Sequence, residues 1–348
     1  MNWIGGENYL NLIRTGVEQI QDNSQVKLAR EFPRLRSIIM AVPLKYLFRK
    51  FSPLLDFVRA NKGINFPWAV SPKSKSVLRW IPDCQDLVHP EFFTREENEN
   101  RKLHVAKSIR DGHALYFSSE DSRSTFVRHY GELGNIQGIV RFAANIDLDS
   151  VRKSKLSRID CLGCIEQGYI YMPNQWWKHK NHLLTIKSYI AYRNNGGERH
   201  LVLTGTEFDY RFPSFAQEIR SHIKEVIEIH PLGVVDREHQ VELFEKADLL
   251  LQPSLFEGWS TTIEEGLFFG VPILASNIQV NMEQLEGCND AMFFDPLSSE
   301  DLALKLNCRI TKINEDELRL RRLTRKRRFE SDLEKVITSA NRFLSKKN

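Results

Sequence analysis

In the second half of the chain, short and nearly unbroken apolar runs alternate with longer stretches whose apolar residues recur every three or four positions. Residues 168–174 (GYIYMPN), 199–206 (RHLVLTGT), 248–254 (DLLLQPS), 272–277 (PILASN) and 291–296 (AMFFDP) read as strands, and 227–235 (IEIHPLGVV) as a strand and turn. Helical spacing covers 180–195, 212–226 and 236–247, and another helix begins within 298–307. Pro213 is tolerable in the first turn of its helix, and Asp236 is placed to cap the next. Short strands alternating with helices predict βαβ units and a parallel sheet. Runs apolar on every residue suit strands covered on both faces. Residues 166–310 are therefore expected to form a Rossmann-like domain.

The first half is less regular. Residues 37–42, 64–70, 76–82, 113–119 and 136–144 have the composition of strands, with helical segments near 7–21, 95–111 and 120–131. A second α/β domain over 1–150 follows. The polar, charged stretch at 151–165 is the expected linker. A long helix, 315–345, fills most of a C-terminal extension (311–348) and is expected to pack back over the first domain.

Gly5-Gly6 lies where a doubly wound domain makes its first strand-to-helix turn, yet only four residues precede it. A strand needs about five or six, and the first strand of such a sheet is central. The sequence thus predicts an N-terminal domain lacking its first strand, as in a truncated reading of a longer chain.

Length and composition narrow the classes. With 348 residues the chain suits two domains, and 41% hydrophobic with 27% charged residues is ordinary for a globular protein. No apolar run approaches the roughly 20 residues of a membrane span. The opening MNWIGGENYL has no basic start and no apolar core, so a cytoplasmic protein is the default expectation. Five cysteines include one Cys-x-x-Cys, Cys161 and Cys164, without a second pair at metal spacing, so no metal site is expected. The net charge of +4 conceals a dense basic run, RLRRLTRKRR at 319–328. Nucleic acid, an acidic lipid surface or a solvated helix face would each explain it; the acidic ESDLEK that follows favours the solvated face, and nucleic acid is not an expected partner.

The stretch PSLFEGWSTTIEEGLFFGVPILASN, at 253–277, carries the candidate chemistry. Glu257 and Glu265 stand eight positions apart, and Glu264 adjoins the second. A strand end followed by a glycine and a helix start is a ligand site in open α/β sheets, where free N–H groups and the helix dipole favour anions. Capping explains part of the pattern without chemistry. Thr261 with Glu264, or Thr262 with Glu265, fits a capping box, and Gly270 and Pro272 stop the helix. Glu257 precedes the helix, and no cap requires it.

The same stretch resembles the Glu-x7-Glu signature of retaining glycosyltransferases of the GT-B fold, family 4 (glycosyl transferases group 1), of bacterial polysaccharide type. The resemblance extends to the Pro-Ser before Glu257, the Gly-x-Pro after it and the Ala-Ser-Asn ending the next strand. NQWWKHKNH (174–182), VLTGT (202–206), LGVV (232–235), IPDCQDLVHPEFF (81–93) and YFSSEDSRSTFVRHY (116–130) resemble further family segments, in order. It implies two Rossmann-like domains facing across a cleft, with the donor held by the C-terminal one. Glu257 would contact the donor sugar and Lys180 would neutralise the departing diphosphate, as the catalytic pair. Glu265 would accept from the ribose hydroxyls. Gly258, Trp259, Ser260, Thr261, Gly205, Gly233, Val234 and Gln175 would complete the donor site, with backbone N–H groups at 258–260 sharing the anionic load. Gly5 and Gly6 would approach the phosphates or acceptor from the other domain.

Many relatives carry an arginine where this chain has Gln175, so Lys178 or another basic residue would have to compensate. Many also carry a cleft histidine near Gln85-Asp86, where Asp86 or His89 would have to serve. The implied reaction is metal-independent hexosyl transfer (mannosyl-like among the candidates) from a GDP- or UDP-linked sugar to a saccharide or lipid-linked acceptor. No cofactor is implied beyond that co-substrate. A lipid-linked acceptor would give the basic helix a reason to meet an anionic membrane, at the inner face of the plasma membrane. A nucleotide-sugar-binding relative without turnover, or a GT-B nucleotide-sugar isomerase, are the alternatives.

Overall fold

The computed structural model describes residues 78–148 and 168–345. The expectations for 7–21, 37–42, 64–70, Gly5-Gly6, the missing first strand and the Cys161–Cys164 pair lie outside the described residues. The chain divides into two compact units, residues 1–145 with 324–348, and residues 146–323.

In the first unit, β1 (Leu78–Ile81), β2 (Ala114–Phe117) and β3 (Ile136–Ile139) form a parallel sheet in that order. A short helix α1 (Gln85–Val88) and a 3-10 turn (Pro90–Phe92) follow β1. Next come α2 (Arg95–Arg110), opened by a capping box between Thr94 and Glu97, and α3 (Glu120–Tyr130), capped by Ser119. Ile81, Leu115, Phe117 and Phe126 make the core. The strand expected over 136–144 stops at Ile139 because Arg141 is drawn elsewhere: its N–H donates to Asp332.

The second unit holds a six-stranded parallel sheet, ordered β6-β5-β4-β7-β8-β9. Its strands are β4 (Tyr169–Pro173), β5 (His200–Thr204), β6 (Ile229–Pro231), β7 (Leu249–Gln252), β8 (Ile273–Ser276) and β9 (Ala291–Phe294). Alternation along each strand explains the continuous apolar runs. Ile170, Met172, Leu201, Leu203, Leu249 and Leu251 face one layer, which contains α4 (His182–Asn194), α5 (Phe215–Ile223) and α9 (Ser299–Leu306). Tyr171, Val202, Leu250, Ile273 and Ala275 face the other, built on α6 (Arg237–Lys246) and α7 (Thr261–Phe269). A short helix α8 (Gln279–Gln284), which the sequence reading missed, follows β8. The order of strands reverses between β4 and β7, the topological switch point where open α/β sheets bind ligands.

The last helix, α10 (Glu315–Ser345), belongs to the second unit up to Leu323 and to the first from Thr324. The solvated-face reading of its basic run holds for exposed Arg319 and Arg327 and needs correction at Arg321 and Arg322. Arg321 makes two hydrogen bonds to buried Asp290, and Arg322 donates to the Phe268 carbonyl and stacks over that ring. Further along, Ser339 bonds Gln137 and Asp332 pairs with Arg141. Among the described residues no helix is long and apolar enough to cross a membrane.

Candidate functional site

At the switch point the polypeptide leaves β4 through Asn174 and β7 through Gln252, both buried amides at the ends of apolar strands. Each satisfies the other: Asn174 Nδ2 donates to Gln252 Oε1 at 3.1 Å. Gln252 Nε2 in turn donates to Ser254 Oγ (3.1 Å) and to Glu257 Oε1 (2.7 Å). After β4 the chain makes a 3-10 turn over Lys178–Lys180, ended by Asn181 in the left-handed region (φ 60). The Leu255 N–H donates to the His179 carbonyl at 2.8 Å, stitching this turn to the loop after β7. That stitch brings Lys180 Nζ to 2.5 Å from Glu257 Oε1, with the side chains only 15% and 10% exposed. The two residues singled out as the catalytic pair are thus joined. Glu257, for which the sequence offered no structural partner, has two.

Glu264 and Glu265 do not cap the helix. Ser260 is the N-cap of α7, its Oγ accepting from the Ile263 N–H, which corrects the assignment to Thr261 or Thr262. Glu264 is buried and accepts from Trp259 Nε1 (3.0 Å) and Gln284 Nε2 (2.9 Å). Gln284 also takes both backbone groups of Ser260, accepting from its N–H (3.0 Å) and donating to its carbonyl (2.8 Å). The Ser260 N–H is therefore committed to Gln284 and corrects the expectation that it would share an anionic load. Trp259, expected on the donor, is packed inward with its indole N–H on Glu264. The C-terminal end of α7 behaves as read from the sequence: Gly270 is left-handed (φ 68), and its N–H bonds the Gly266 carbonyl.

Glu265 projects elsewhere. It is buried, and the Arg237 guanidinium, at the start of α6, lies 2.8 Å from its Oε1. The N–H direction misses the oxygen, so the contact is an ion pair and Oε1 is left without a hydrogen bond. The nearby Tyr171 phenol, bonded to Thr204 Oγ1 (2.9 Å), has its pKa pushed up by burial, with Glu265 adding to the rise and Arg237 opposing it. Asp236 occupies the N-cap position of α6 as expected, but its side chain makes no capping bond.

Gly205 and Gly233 lie in the loops that follow β5 and β6, linked by Gly205 N–H to Gly233 O at 2.8 Å. Gly205 has φ +126, and a Cβ there would fall 2.7 Å from the Asn174 carbonyl oxygen and 2.9 Å from the Gln175 nitrogen. Glycine is thus required where the loop after β5 passes the loop after β4. Gly233 is left-handed (φ +65), and Val234 beside it is exposed. Gln175 is half-buried in the same loop, while Lys178 sits 3.9 Å above the Phe212 ring, a cation–π contact.

In the first unit, Asp86 is buried and paired with Arg101 at 2.7 Å; Arg101 also bonds Asp83. His89 pairs with Glu91 (2.9 Å) and lies against Phe92. Among the described residues no cluster of three or more His, Cys, Asp or Glu side chains could hold a metal ion.

Arg237, Gln284, Gln252 and Asn174 were missed by the sequence reading. Gln252 and Asn174 had a visible signal, an amide closing an apolar strand. Arg237 and Gln284 had none, because their partners lie 28 and 20 or more positions away.

A six-stranded parallel sheet in this order, with its charged pair at the switch point, defines a Rossmann-like ligand-binding unit. Residues 166–327 of this chain, just under half of it, match the family described as glycosyl transferases group 1. Protein CapJ of Staphylococcus aureus is 25% identical over 182 residues, 52% of this chain and 41% of CapJ. The chain thus spans about two fifths of that relative's length. The Anabaena protein HepE, in a crystal structure with UDP and glucose, is similar at a TM-score of 0.58 with 16% identity, over 84% of this chain and 74% of HepE. Sucrose-phosphate synthase of Thermosynechococcus elongatus has a TM-score of 0.57 with 14% identity, over 88% of this chain and 81% of that one. These likenesses show the fold, that of the GT-B glycosyltransferases.

Proposed function

We propose that the protein transfers a glycosyl group from a nucleoside-diphosphate sugar to a saccharide or lipid-linked acceptor, with retention at the anomeric carbon and without a metal, as a family 4 enzyme. The observation that carries the proposal is the meeting of Lys180 with Glu257 at the β4/β7 switch point. In the reaction, the bond from the anomeric carbon to the diphosphate oxygen breaks, and a bond to an acceptor hydroxyl forms as that hydroxyl loses its proton. The charge that grows is on the leaving diphosphate, and a positioned ammonium stabilises it without a metal. Lys180 fills that role. Glu257, steered by Gln252, is a charged acceptor for hydroxyls of the donor sugar. Glu265, with a buried oxygen lacking a hydrogen bond, suits the ribose diol.

UDP-sugars are the first donors to test, since HepE is known in complex with UDP-glucose and UDP. GDP-hexoses, including mannosyl donors, are the second. Contact with an anionic membrane would use the basic residues of α10 not drawn into the fold, such as exposed Arg319 and Arg327.

The test is release of nucleoside diphosphate from UDP- and GDP-hexoses with and without candidate acceptors. Release that depends on acceptor, with an anomerically retained product, supports the proposal. Donor binding without release under any acceptor overturns it in favour of a binding relative. Conversion to another nucleotide sugar, without free diphosphate, overturns it in favour of an isomerase.

A further inference from the structure

We propose that Arg237 is a positioning residue for nucleotide recognition, holding the Glu265 carboxylate oriented so that the site selects ribonucleotides over deoxyribonucleotides. The inference rests on the reading of Glu265 as the ribose ligand and extends it to a residue on another element. Arg237 opens α6, and Glu265 is the central residue of α7. The two side chains are 28% and 4% exposed, so the carboxylate is inside and the guanidinium reaches it from a more open position.

Three features of the contact point this way. First, the guanidinium is anchored from its own helix, donating from Nη1 to Gln240 Oε1 at 2.5 Å, which fixes the plane it presents. Second, Nη2 stands 2.8 Å from Glu265 Oε1 without its N–H aimed at that oxygen. The charge is compensated while the acceptor direction stays open. Third, Tyr171, the hydroxyl near both groups, is bonded to Thr204.

A buried carboxylate with its charge balanced and a lone pair unused is an acceptor for a hydroxyl donor. A vicinal diol supplies two such donors. Removing Arg237 leaves Glu265 buried without its counter-charge, and the carboxylate then loses its orientation. Arg237 would thus act on ribose through Glu265.

The experiment is titration calorimetry of UDP, GDP and their 2′-deoxy analogues against the full chain, as wild type, Arg237→Ala, Arg237→Lys and Glu265→Gln. In the wild type, loss of the 2′-hydroxyl should weaken binding at least about tenfold, as expected for a hydrogen bond to a charged group. In Arg237→Ala the ribonucleotide should weaken while the deoxy analogue changes little, so the ratio falls toward one. Arg237→Lys should restore part of it. Persistence of the wild-type ratio in Arg237→Ala, or equal weakening of both nucleotides, overturns the role of Arg237. Equal binding of ribo and deoxy forms by the wild type, with Glu265→Gln unchanged, overturns instead the placement of ribose on Glu265. Failure of the wild type to bind either nucleotide overturns both.

Discussion

Lys180 and Glu257 meet across the switch point of the sheet, Nζ to Oε1 at 2.5 Å, from loops that follow different strands. The contact depends on a backbone bond, Leu255 N–H to His179 O, made by neighbours of both residues. Removing one partner of a largely buried pair leaves an uncompensated charge, at a cost of about 3–5 kcal/mol. Lys180→Met should therefore lower stability to urea and reduce turnover at least about a hundredfold. The double variant Lys180→Met/Glu257→Gln should recover much of the stability and none of the activity. Recovery of activity in the double variant would reduce the pair to a structural tie.

Gln284 clamps the loop that carries Trp259 and Ser260 through three hydrogen bonds. Gln284→Leu strands the Ser260 N–H, while the Ser260 carbonyl keeps the Glu264 N–H and the Glu264 carboxylate keeps Trp259 Nε1. An unmet buried group costs about 1–3 kcal/mol, so a fall in urea midpoint and weaker nucleotide binding are expected. Unchanged stability would mean that water or a shifted side chain replaces the amide.

Gly205 passes within contact of the loop after β4 at φ +126. Gly205→Ala should destabilise by about 1–3 kcal/mol from backbone conformation alone, with the clash against Asn174 adding to it. Thermal melting measures the total, and donor titration should show the displaced Gln175 loop as lost affinity.

Burial pushes the His182 imidazole down to about 3, with Lys180 adding to the fall and a contact with the Asn174 backbone opposing it. His200 and His230, stacked on neighbouring strands with Nδ1 and Nε2 2.8 Å apart, are lowered too, mainly by burial. For a group whose folded pKa is depressed, the unfolded chain binds more protons between the two values. Stability should thus be full above the ordinary histidine pKa, near 6.5, and fall as pH drops from there toward about 3. Urea melts across that window check this. His182→Leu should flatten the slope, and an unchanged slope would assign it to other groups.

The residues that organise the site divide by how far their partners lie. Continuous apolar strands, periodic helices and the Gly270 stop were legible because each signal is local to one element. The same locality misled at 261–265, where two capping boxes fitted the letters. Ser260 takes the cap, and the glutamates turn to partners on other elements, Gln284 and Arg237. The basic run at 319–328 misled likewise, since periodicity shows a helix but not that Asp290 waits beside it.

By itself the sequence determined the parallel α/β architecture of the second unit, the bounds of its strands to within a few residues, and the strand-end loops where chemistry would sit. It did so because burial on both faces and helical period are written in consecutive residues. Only the tertiary structure decided which charges meet. Lys180 reaches Glu257 and Arg237 reaches Glu265 because strand order places distant loops side by side, and Coulomb attraction acts on distance in space, not along the chain.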